Sequence, residues 1–173
     1  PLVLALRQLP VPTVCAVNGV AAGAGANLAL ACDMVLAAKS ASFVQAFGRI
    51  GLIPDSGGTY VLPQLLGMAR ALGLAFTGDK LAAEQAAAWG LIWQCVDDAE
   101  LMPAAERLAA GLAAAPTLGL VATRRAMHAA AGHSLEQQLD LERDLQRELG
   151  YSADYREGVA AFMAKRPAKF TGR

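Results

Sequence analysis

The chain has 173 residues, of which 55% are hydrophobic and 17% are charged. This composition is typical of one folded domain with a substantial apolar core, and it excludes intrinsic disorder as the main state. Fifteen Lys and Arg residues balance fifteen Asp and Glu residues, so we expect neither nucleic acid nor an anionic membrane as a partner. Cys15, Cys32 and Cys95 form no CxxC or Cys/His pattern, which disfavours a disulfide framework or a bound metal and fits a reducing cytoplasm.

The N-terminal part of the chain is predicted to carry the sheet. Apolar spacing and turn residues predict, in chain order, a helical pattern at Leu2–Leu9, a strand at Thr13–Val17, a glycine turn, a buried helix from Gly23, strands at Met34–Ala38 and Ala41–Gln45, and a Gly/Pro-rich loop at Gly51–Gly58. The most apolar stretch, Val11–Ala38, is interrupted by polar residues, Gly and Pro, so no membrane span is predicted.

Helical patterns dominate after that loop. They cover Thr59–Leu66, Ala69–Phe76, Ala83–Trp89, Glu100–Ala114, Thr117–Ala130, a segment from Ser134 and Ser152–Lys165, with one short strand at Leu91–Val96. Ser134 and Gln137 have the spacing of a capping box. The helix that follows carries an apolar stripe from Leu135 to Leu149, and such a stripe requires a partner surface.

The glycine-rich segment from Asn18 to Asn27 follows a strand and opens a helix. Backbone N–H groups at a helix start have no partner inside the helix and carry the positive end of the helix dipole, so they can stabilise an oxyanion or a phosphate. Only part of a dinucleotide-binding pattern is present and the P-loop lysine is absent. On spacing alone, close packing of a helix through small residues is an equally good explanation.

Two further groups of residues have both a chemical and a structural interpretation. Asp55 precedes a predicted helix and could cap its N-terminus, which is the commoner use, or act as a general base. Lys165, Arg166 and Lys169 form a basic cluster. Such clusters are most often solvated, although this one could also meet a phosphorylated ligand.

Several motifs together resemble the enoyl-CoA hydratase/isomerase, or crotonase, superfamily. They are the segments Pro12–Gly25 with Cys32-Asp33, Gly51–Thr59, Ala83–Ala86, Trp89–Ile92, Tyr155–Phe162 and Lys165-Arg166. The resemblance implies an α/β fold: a spiral of ββα units over residues 1–115 followed by a C-terminal helical region over residues 116–173 that builds trimers or hexamers. It also implies that family chains continue before the position of Pro1 with opening strands and a first oxyanion donor, so this chain is expected to be an N-terminally incomplete domain.

The resemblance also implies roles for individual residues. The two glutamates that hydratases of the family use to activate water correspond here to Asn27 and Phe47, and neither side chain can exchange a proton at neutral pH. Asp55 lies where isomerases of the family carry a catalytic aspartate. The remaining implied contacts are the Ala24 backbone N–H to the thioester carbonyl, Lys165 to the CoA phosphates, and Val20, Ala22, Gly23, Ala46 and Phe47 around the acyl group.

Within the family, Gly51–Asp55, Trp89–Gln94 and Leu139–Asp144 look most like the isomerases of phenylacetate breakdown. We therefore predict isomerisation of ring-1,2-epoxyphenylacetyl-CoA to oxepin-CoA, together with double-bond shifts in unsaturated acyl-CoA. CoA is then part of the substrate, and no separate cofactor is expected. The alternatives are a general enoyl-CoA or dienoyl-CoA isomerase and a non-catalytic CoA-binding or oligomerisation module.

Overall fold

The computed structural model describes residues 1–173, and it confirms the predicted α/β class. The helices are α1 (Leu2–Arg7), α2 (Ala24–Leu30), α3 (Gly58–Leu66), α4 (Met68–Thr77), α5 (Ala83–Ala88), α6 (Leu101–Ala113), α7 (Thr117–Ala130), α8 (Leu135–Leu149) and α9 (Ala153–Met163). The strands are β1 (Val14–Val17), β2 (Val20–Ala22), β3 (Met34–Ala38), β4 (Ser42–Val44), β5 (Lys80–Ala82) and β6 (Gln94–Val96). Short 3-10 turns cover Ala46–Ile50 and Asp98–Glu100.

The strands form two three-stranded sheets whose order shows a repeating unit. One sheet has the order β1-β3-β6 and is parallel throughout, and the other has the order β2-β4-β5, with β2 and β4 parallel. The chain therefore runs strand, strand, helix twice in succession, first through β1, β2 and α2 and then through β3, β4 and α3. Each unit contributes its first strand to one sheet and its second strand to the other, which is the spiral expected from the resemblance.

The strands have continuous apolar sequences because they lie in the core. All of Val35, Leu36, Ala37 and Ala38 are buried, which is typical of a parallel strand covered on both faces. Helix α3 contributes Leu62, which is 2% exposed, and α5 contributes the fully buried Ala83 and Ala86. The core thus holds α2 and the loop before α3 in fixed positions.

Two of the strands were not predicted. Strand β2 lies inside the segment interpreted as a glycine turn, and β5 follows a helix end without an apolar run. Both are only three residues long and both pair with β4, so their extended form comes from sheet pairing rather than from local propensity. The predicted strand at Leu91–Val96 is also shorter than expected, because only Gln94–Val96 pairs with β3.

The chain forms two compact units, one of residues Pro1–Leu9 with Thr13–Leu108 and one of residues Pro10–Pro12 with Ala109–Arg173. In the second unit the predicted capping box is confirmed: Ser134 Oγ accepts from Gln137 N at 3.3 Å, and Gln137 Oε1 accepts from Ser134 N at 2.9 Å. On α8, Leu145 is buried whereas Leu135 and Leu139 are 75% and 53% exposed. Oligomer formation through this face stays a prediction. None of the helices combines the length and the apolarity that a membrane span requires.

Candidate active site

The turn between β2 and α2 presents the first N–H of α2. Gly23 has φ 53° and ψ −126°, a conformation that only glycine adopts readily, and its own N–H donates to Val44 O at 2.8 Å. Helix α2 begins at Ala24, whose N–H therefore stands at a position without an acceptor inside the helix. A thioester oxygen placed there would meet both the N–H and the positive end of the helix dipole.

Phe47 packs against this turn. A Cβ atom added to Gly23 would lie 3.5 Å from Phe47 Cζ, so the ring contacts the glycine face directly. The Phe47 side chain is 8% exposed. The structure thus brings Gly23 and Phe47 together, whereas Val20 is 65% exposed, Ala22 is exposed and Ala46 is half-buried. A role of these residues in enclosing an acyl group stays a prediction.

A buried pair of amide side chains connects α2 with the loop that carries Asp55. Asn27, which is 2% exposed, donates from Nδ2 to Asp55 O at 2.9 Å. Its Oδ1 accepts from Gln45 Nε2, also at 2.9 Å, and Gln45 is 3% exposed. Buried amides hold their partners firmly because an unpaired polar group away from water is costly. Asn27 therefore fixes the position of the Asp55 backbone on the helix that begins at Ala24.

Asp55 lies in a sharp turn and does not cap α3. The N-cap of α3 is Gly57, no side chain caps that helix, and Asp55 contributes only its carbonyl oxygen, which also accepts from Gly58 N at 2.8 Å. Ser56 has φ 50° and Gly57 has φ 84°. A non-glycine residue in the left-handed region is uncommon, so this turn is held by its surroundings. The capping interpretation is wrong, and the carboxylate is left available for another use.

Apolar side chains do not enclose Asp55 within this chain. The Asp55 side chain is exposed, and its apolar neighbours Leu52 and Ile53 are 60% and 75% exposed. These side chains form an apolar surface beside the carboxylate rather than a pocket around it.

Two surface grooves lie outside the predicted acyl-binding residues. One, of about 430 Å³, and another, of about 560 Å³, are each lined by residues of both charges. The first is lined by Lys39, Gln94, Cys95, Val96, Asp97, Glu100, Ala104 and Arg107, and the second by Ala153, Asp154, Glu157, Arg166, Pro167, Lys169 and Thr171. Neither groove includes Phe47.

The roles of Asn27 and Gln45 in positioning the loop were missed from the sequence. In the sequence, Asn27 is visible only as the replacement of a carboxylate, and Gln45 only as the end of a predicted strand. The signal that could have revealed them is a polar side chain inside an otherwise apolar run, because such residues are usually buried with a partner.

The second unit places Lys165 in a folded-back C-terminal tail. Lys165 is exposed and has φ 51°. The next residue, Arg166, donates to both carboxylate oxygens of Glu157, at 2.7 and 2.9 Å, and Lys169 N donates to the same carboxylate at 2.8 Å. The Arg166 bonds and the Lys169 N–H together lower the pKa of Glu157 to about 2. The pKa of Glu157 in the folded chain is lower than that of a free glutamate. The stabilisation from this pairing is therefore complete at any pH above the ordinary glutamate pKa, and it is lost as the pH falls toward 2.

Asp154 anchors the end of the same tail. It is 3% exposed and accepts from Thr171 N at 2.7 Å and from Gly172 N at 2.8 Å. Replacing Asp154 by Ala is expected to favour release of the tail by about 1.5–3 kcal/mol, the usual contribution of a hydrogen bond to a charged group. Limited proteolysis after Lys169 would measure the release. Asp140→Ala, which removes an exposed aspartate of α8, should leave the cleavage rate unchanged, and equal rates for both variants would contradict the anchoring role.

Both the sequence and the fold of the chain are similar to those of known proteins. The sequence model of the enoyl-CoA hydratase/isomerase family matches residues 1–173. The chain belongs to the enoyl-CoA hydratase/isomerase family. Over all 173 residues it is 59% identical to the 1,2-epoxyphenylacetyl-CoA isomerase of Escherichia coli K12, of which it covers 66%. The crystal structure of an enoyl-CoA hydratase from Polaromonas sp. JS666 superposes with a TM-score of 0.93 at 35% identity, with 98% of this chain and 66% of that chain covered.

A relative with a different activity is also similar. The trans-2-decenoyl-[acyl-carrier-protein] isomerase of Streptococcus mutans is 36% identical over 169 residues, with 98% of this chain and 64% of that protein covered. The chain thus spans about two thirds of the length of the curated relatives it matches. The family membership confirms the resemblance drawn from the motifs around the glycine turn and Asp55.

Proposed function

We propose that this chain contributes the catalytic base and one oxyanion donor of an acyl-CoA isomerase. The observation that carries the proposal is the Asn27 bridge, which ties the Asp55 loop to α2 through a 2.9 Å hydrogen bond. Asn27 lies about one helical turn after Ala24. The loop that carries the Asp55 carboxylate is therefore tied to the helix whose first N–H, at Ala24, is the proposed oxyanion donor.

In this mechanism the Ala24 N–H donates to the carbonyl oxygen of the thioester. The developing negative charge on that oxygen is stabilised by a donor that is already in place, and the loss of one such donor typically costs about 2.7–4 kcal/mol. The carbon next to the carbonyl becomes acidic as a result. Gly23 lets the thioester approach the Ala24 N–H closely, because glycine has no side chain on the face toward Phe47 and readily adopts this backbone conformation.

Asp55 then moves the proton. One carboxylate oxygen takes a proton from the carbon next to the thioester carbonyl, which leaves an enolate conjugated with the neighbouring double bond. The same oxygen returns the proton two carbons further along, so the double bond shifts and the carboxylate is regenerated. Identity to the E. coli epoxyphenylacetyl-CoA isomerase favours the ring epoxide as the physiological substrate. In that substrate the carbon–carbon bond shared by the ring and the epoxide breaks as the seven-membered oxepin forms, and the same proton shift then moves the double bond into conjugation with the thioester.

Addition of water is disfavoured by the residues at the site. Asn27 is buried and has both ends of its amide engaged, and Phe47 is an apolar ring packed on Gly23. Neither side chain can take a proton from water or deliver one to a carbanion. The geometry therefore supports isomerisation better than hydration.

The partner and location of the protein follow from the same proposal. Lys165 would contact the phosphates of the CoA moiety, an expectation that rests on the resemblance and on its exposed position in an ordered tail. A homotrimer or homohexamer in the cytoplasm is the assembly that fits the family.

A comparison of three reactions tests the proposal. The protein that contains this chain would be assayed with the ring epoxide of phenylacetyl-CoA, with a linear 3-enoyl-CoA and, for hydration, with a linear 2-enoyl-CoA. We expect turnover of the epoxide, slower double-bond shifting in the 3-enoyl thioester and no hydroxyacyl product. Preference for the linear 3-enoyl thioester would instead support the general enoyl-CoA isomerase, and formation of a hydroxyacyl-CoA would contradict the isomerase assignment.

A further inference from the structure

Lys165 occupies a position where helices usually have glycine. Helix α9 ends with two backbone bonds, from Lys165 N to Phe162 O at 3.1 Å and from Arg166 N to Ala161 O at 3.0 Å. This pair of bonds is a Schellman motif, whose left-handed residue, here Lys165 with φ 51°, is usually glycine. A side chain at that residue strains the backbone. Such strain persists only where the surrounding structure holds the residue in place, and it is common at sites that clamp a ligand.

The segment after this turn is held against α9. Glu157 binds its first part: Arg166 donates to both carboxylate oxygens, at 2.7 and 2.9 Å, and Lys169 N donates to Glu157 Oε1 at 2.8 Å. Further along, the Phe170 ring lies beside Gly158, where an added Cβ atom would be 3.5 Å from Phe170 Cε1. The tail therefore runs back along α9, and Glu157 is its first anchor after the turn.

The two basic side chains at the turn differ in their partners. The Arg166 guanidinium is neutralised by Glu157, and the nearby Asp154 carboxylate accepts from backbone N–H groups of the tail. Lys165 makes neither a salt bridge nor a side-chain hydrogen bond, and it is exposed. Its ammonium is therefore available to a ligand, and an ammonium binds a phosphate as a compact point charge.

We propose that Glu157 is a positioning residue that, through Arg166, holds the Lys165 ammonium where the phosphates of CoA bind. This role rests on the contact of Lys165 with CoA in the proposed function. Without Glu157, the chain after the turn loses its first anchor, and the Lys165 backbone can leave its strained conformation. The ammonium then meets the phosphates less often, so affinity for CoA thioesters falls while the chemistry at the thioester carbonyl is unaffected.

Kinetics with two thioesters test the proposal. The protein that contains this chain would be assayed with an acyl-CoA and with the matching acyl-pantetheine, which has the same reacting group but lacks the phosphates. We expect Glu157→Gln to raise KM for the CoA thioester about two- to fivefold, the range of one exposed ion pair, with kcat and the KM for the pantetheine thioester unchanged. Glu100→Gln, which removes an exposed glutamate paired with Arg107 at 3.4 Å, is the matched control and should change neither constant.

Combination with Lys165→Met shows whether Glu157 acts through Lys165. Lys165→Met should raise KM for the CoA thioester about fivefold. Adding Glu157→Gln to it should cause no further rise, because the group that Glu157 positions is then absent. Arg166→Lys keeps the charge but cannot form two parallel bonds to the carboxylate. It should reproduce the effect of Glu157→Gln, and it decides the question if that variant folds poorly.

Other outcomes would overturn the proposal. A KM raised by Lys165→Met but unchanged by Glu157→Gln would keep the CoA contact and remove the role of Glu157, as would independent effects in the double variant. An equal rise for both thioesters would show a general structural effect. A KM unchanged by Lys165→Met would remove the CoA contact itself and the positioning role with it. If neither thioester is turned over, the isomerase proposal fails, and calorimetric Kd values for CoA in the same variants still decide the role of Glu157.

Discussion

Replacing Asp55 by Asn is expected to remove isomerase activity while thioester binding persists. The amide has nearly the shape of the carboxylate but cannot accept the substrate proton, and loss of a general base typically costs about 10²–10⁴-fold in rate. The Asp55 side chain makes no capping bond, and α3 is capped at Gly57, so the substitution should leave the fold intact. Deuterium incorporation into a 3-enoyl-CoA in heavy water measures the proton transfer directly, and calorimetry measures binding.

Asp79→Asn is the matched control for this substitution. Asp79 is also an exposed aspartate near a helix end, with its side chain 74% exposed, and its carboxylate pairs with Arg49, which has no proposed catalytic role. Its exchange rate should match that of the unchanged chain. Equal exchange in the Asp55→Asn variant would remove Asp55 from the mechanism. Binding without exchange in every variant, the unchanged chain included, would support a non-catalytic CoA-binding module instead.

The parts of the fold that the sequence predicts are those in which local pattern and burial agree. Strand β3 is an uninterrupted apolar run, and its residues Val35–Ala38 are all buried. Helix α8 begins at the predicted capping box. Strands β2 and β5 escaped prediction because three residues carry too little periodicity and their partner, β4, is distant in sequence.

The sequence likewise predicts only part of the candidate site. The glycine turn and Asp55 are visible as local motifs, whereas the bonds that position them connect residues 18 and 28 positions apart, from Gln45 to Asn27 and from Asn27 to Asp55. Single-sequence patterns show which residue types are present, but such long-range partners are fixed only by the fold.

Replacing Gly58 by Ala is expected to destabilise the first unit and displace the Asp55 loop. A Cβ atom at Gly58 would lie 2.4 Å from Asn27 Nδ2 and 2.8 Å from Asn27 Cγ. Asn27 cannot move aside without breaking its buried bonds to Asp55 and Gln45. Overpacking of this kind costs about 1–3 kcal/mol, and a buried polar group left unpaired adds about 1–3 kcal/mol. Chemical denaturation would measure the loss of stability.

A double-mutant cycle with Asn27→Ala separates this clash from a general intolerance of alanine in α3. Asn27→Ala alone should destabilise the unit, since it leaves the Gln45 amide without its partner. With that side chain gone, Gly58→Ala meets no obstacle and should cost far less, a coupling of about 1–3 kcal/mol between contacting residues. Gly73→Ala in α4, where nothing lies within 4 Å of the added Cβ, should instead stabilise by about 0.4–1 kcal/mol. Additive effects of the two substitutions would mean that Gly58 does not pack against the Asn27 side chain, which would contradict the geometry that places Asn27 beside the Asp55 loop.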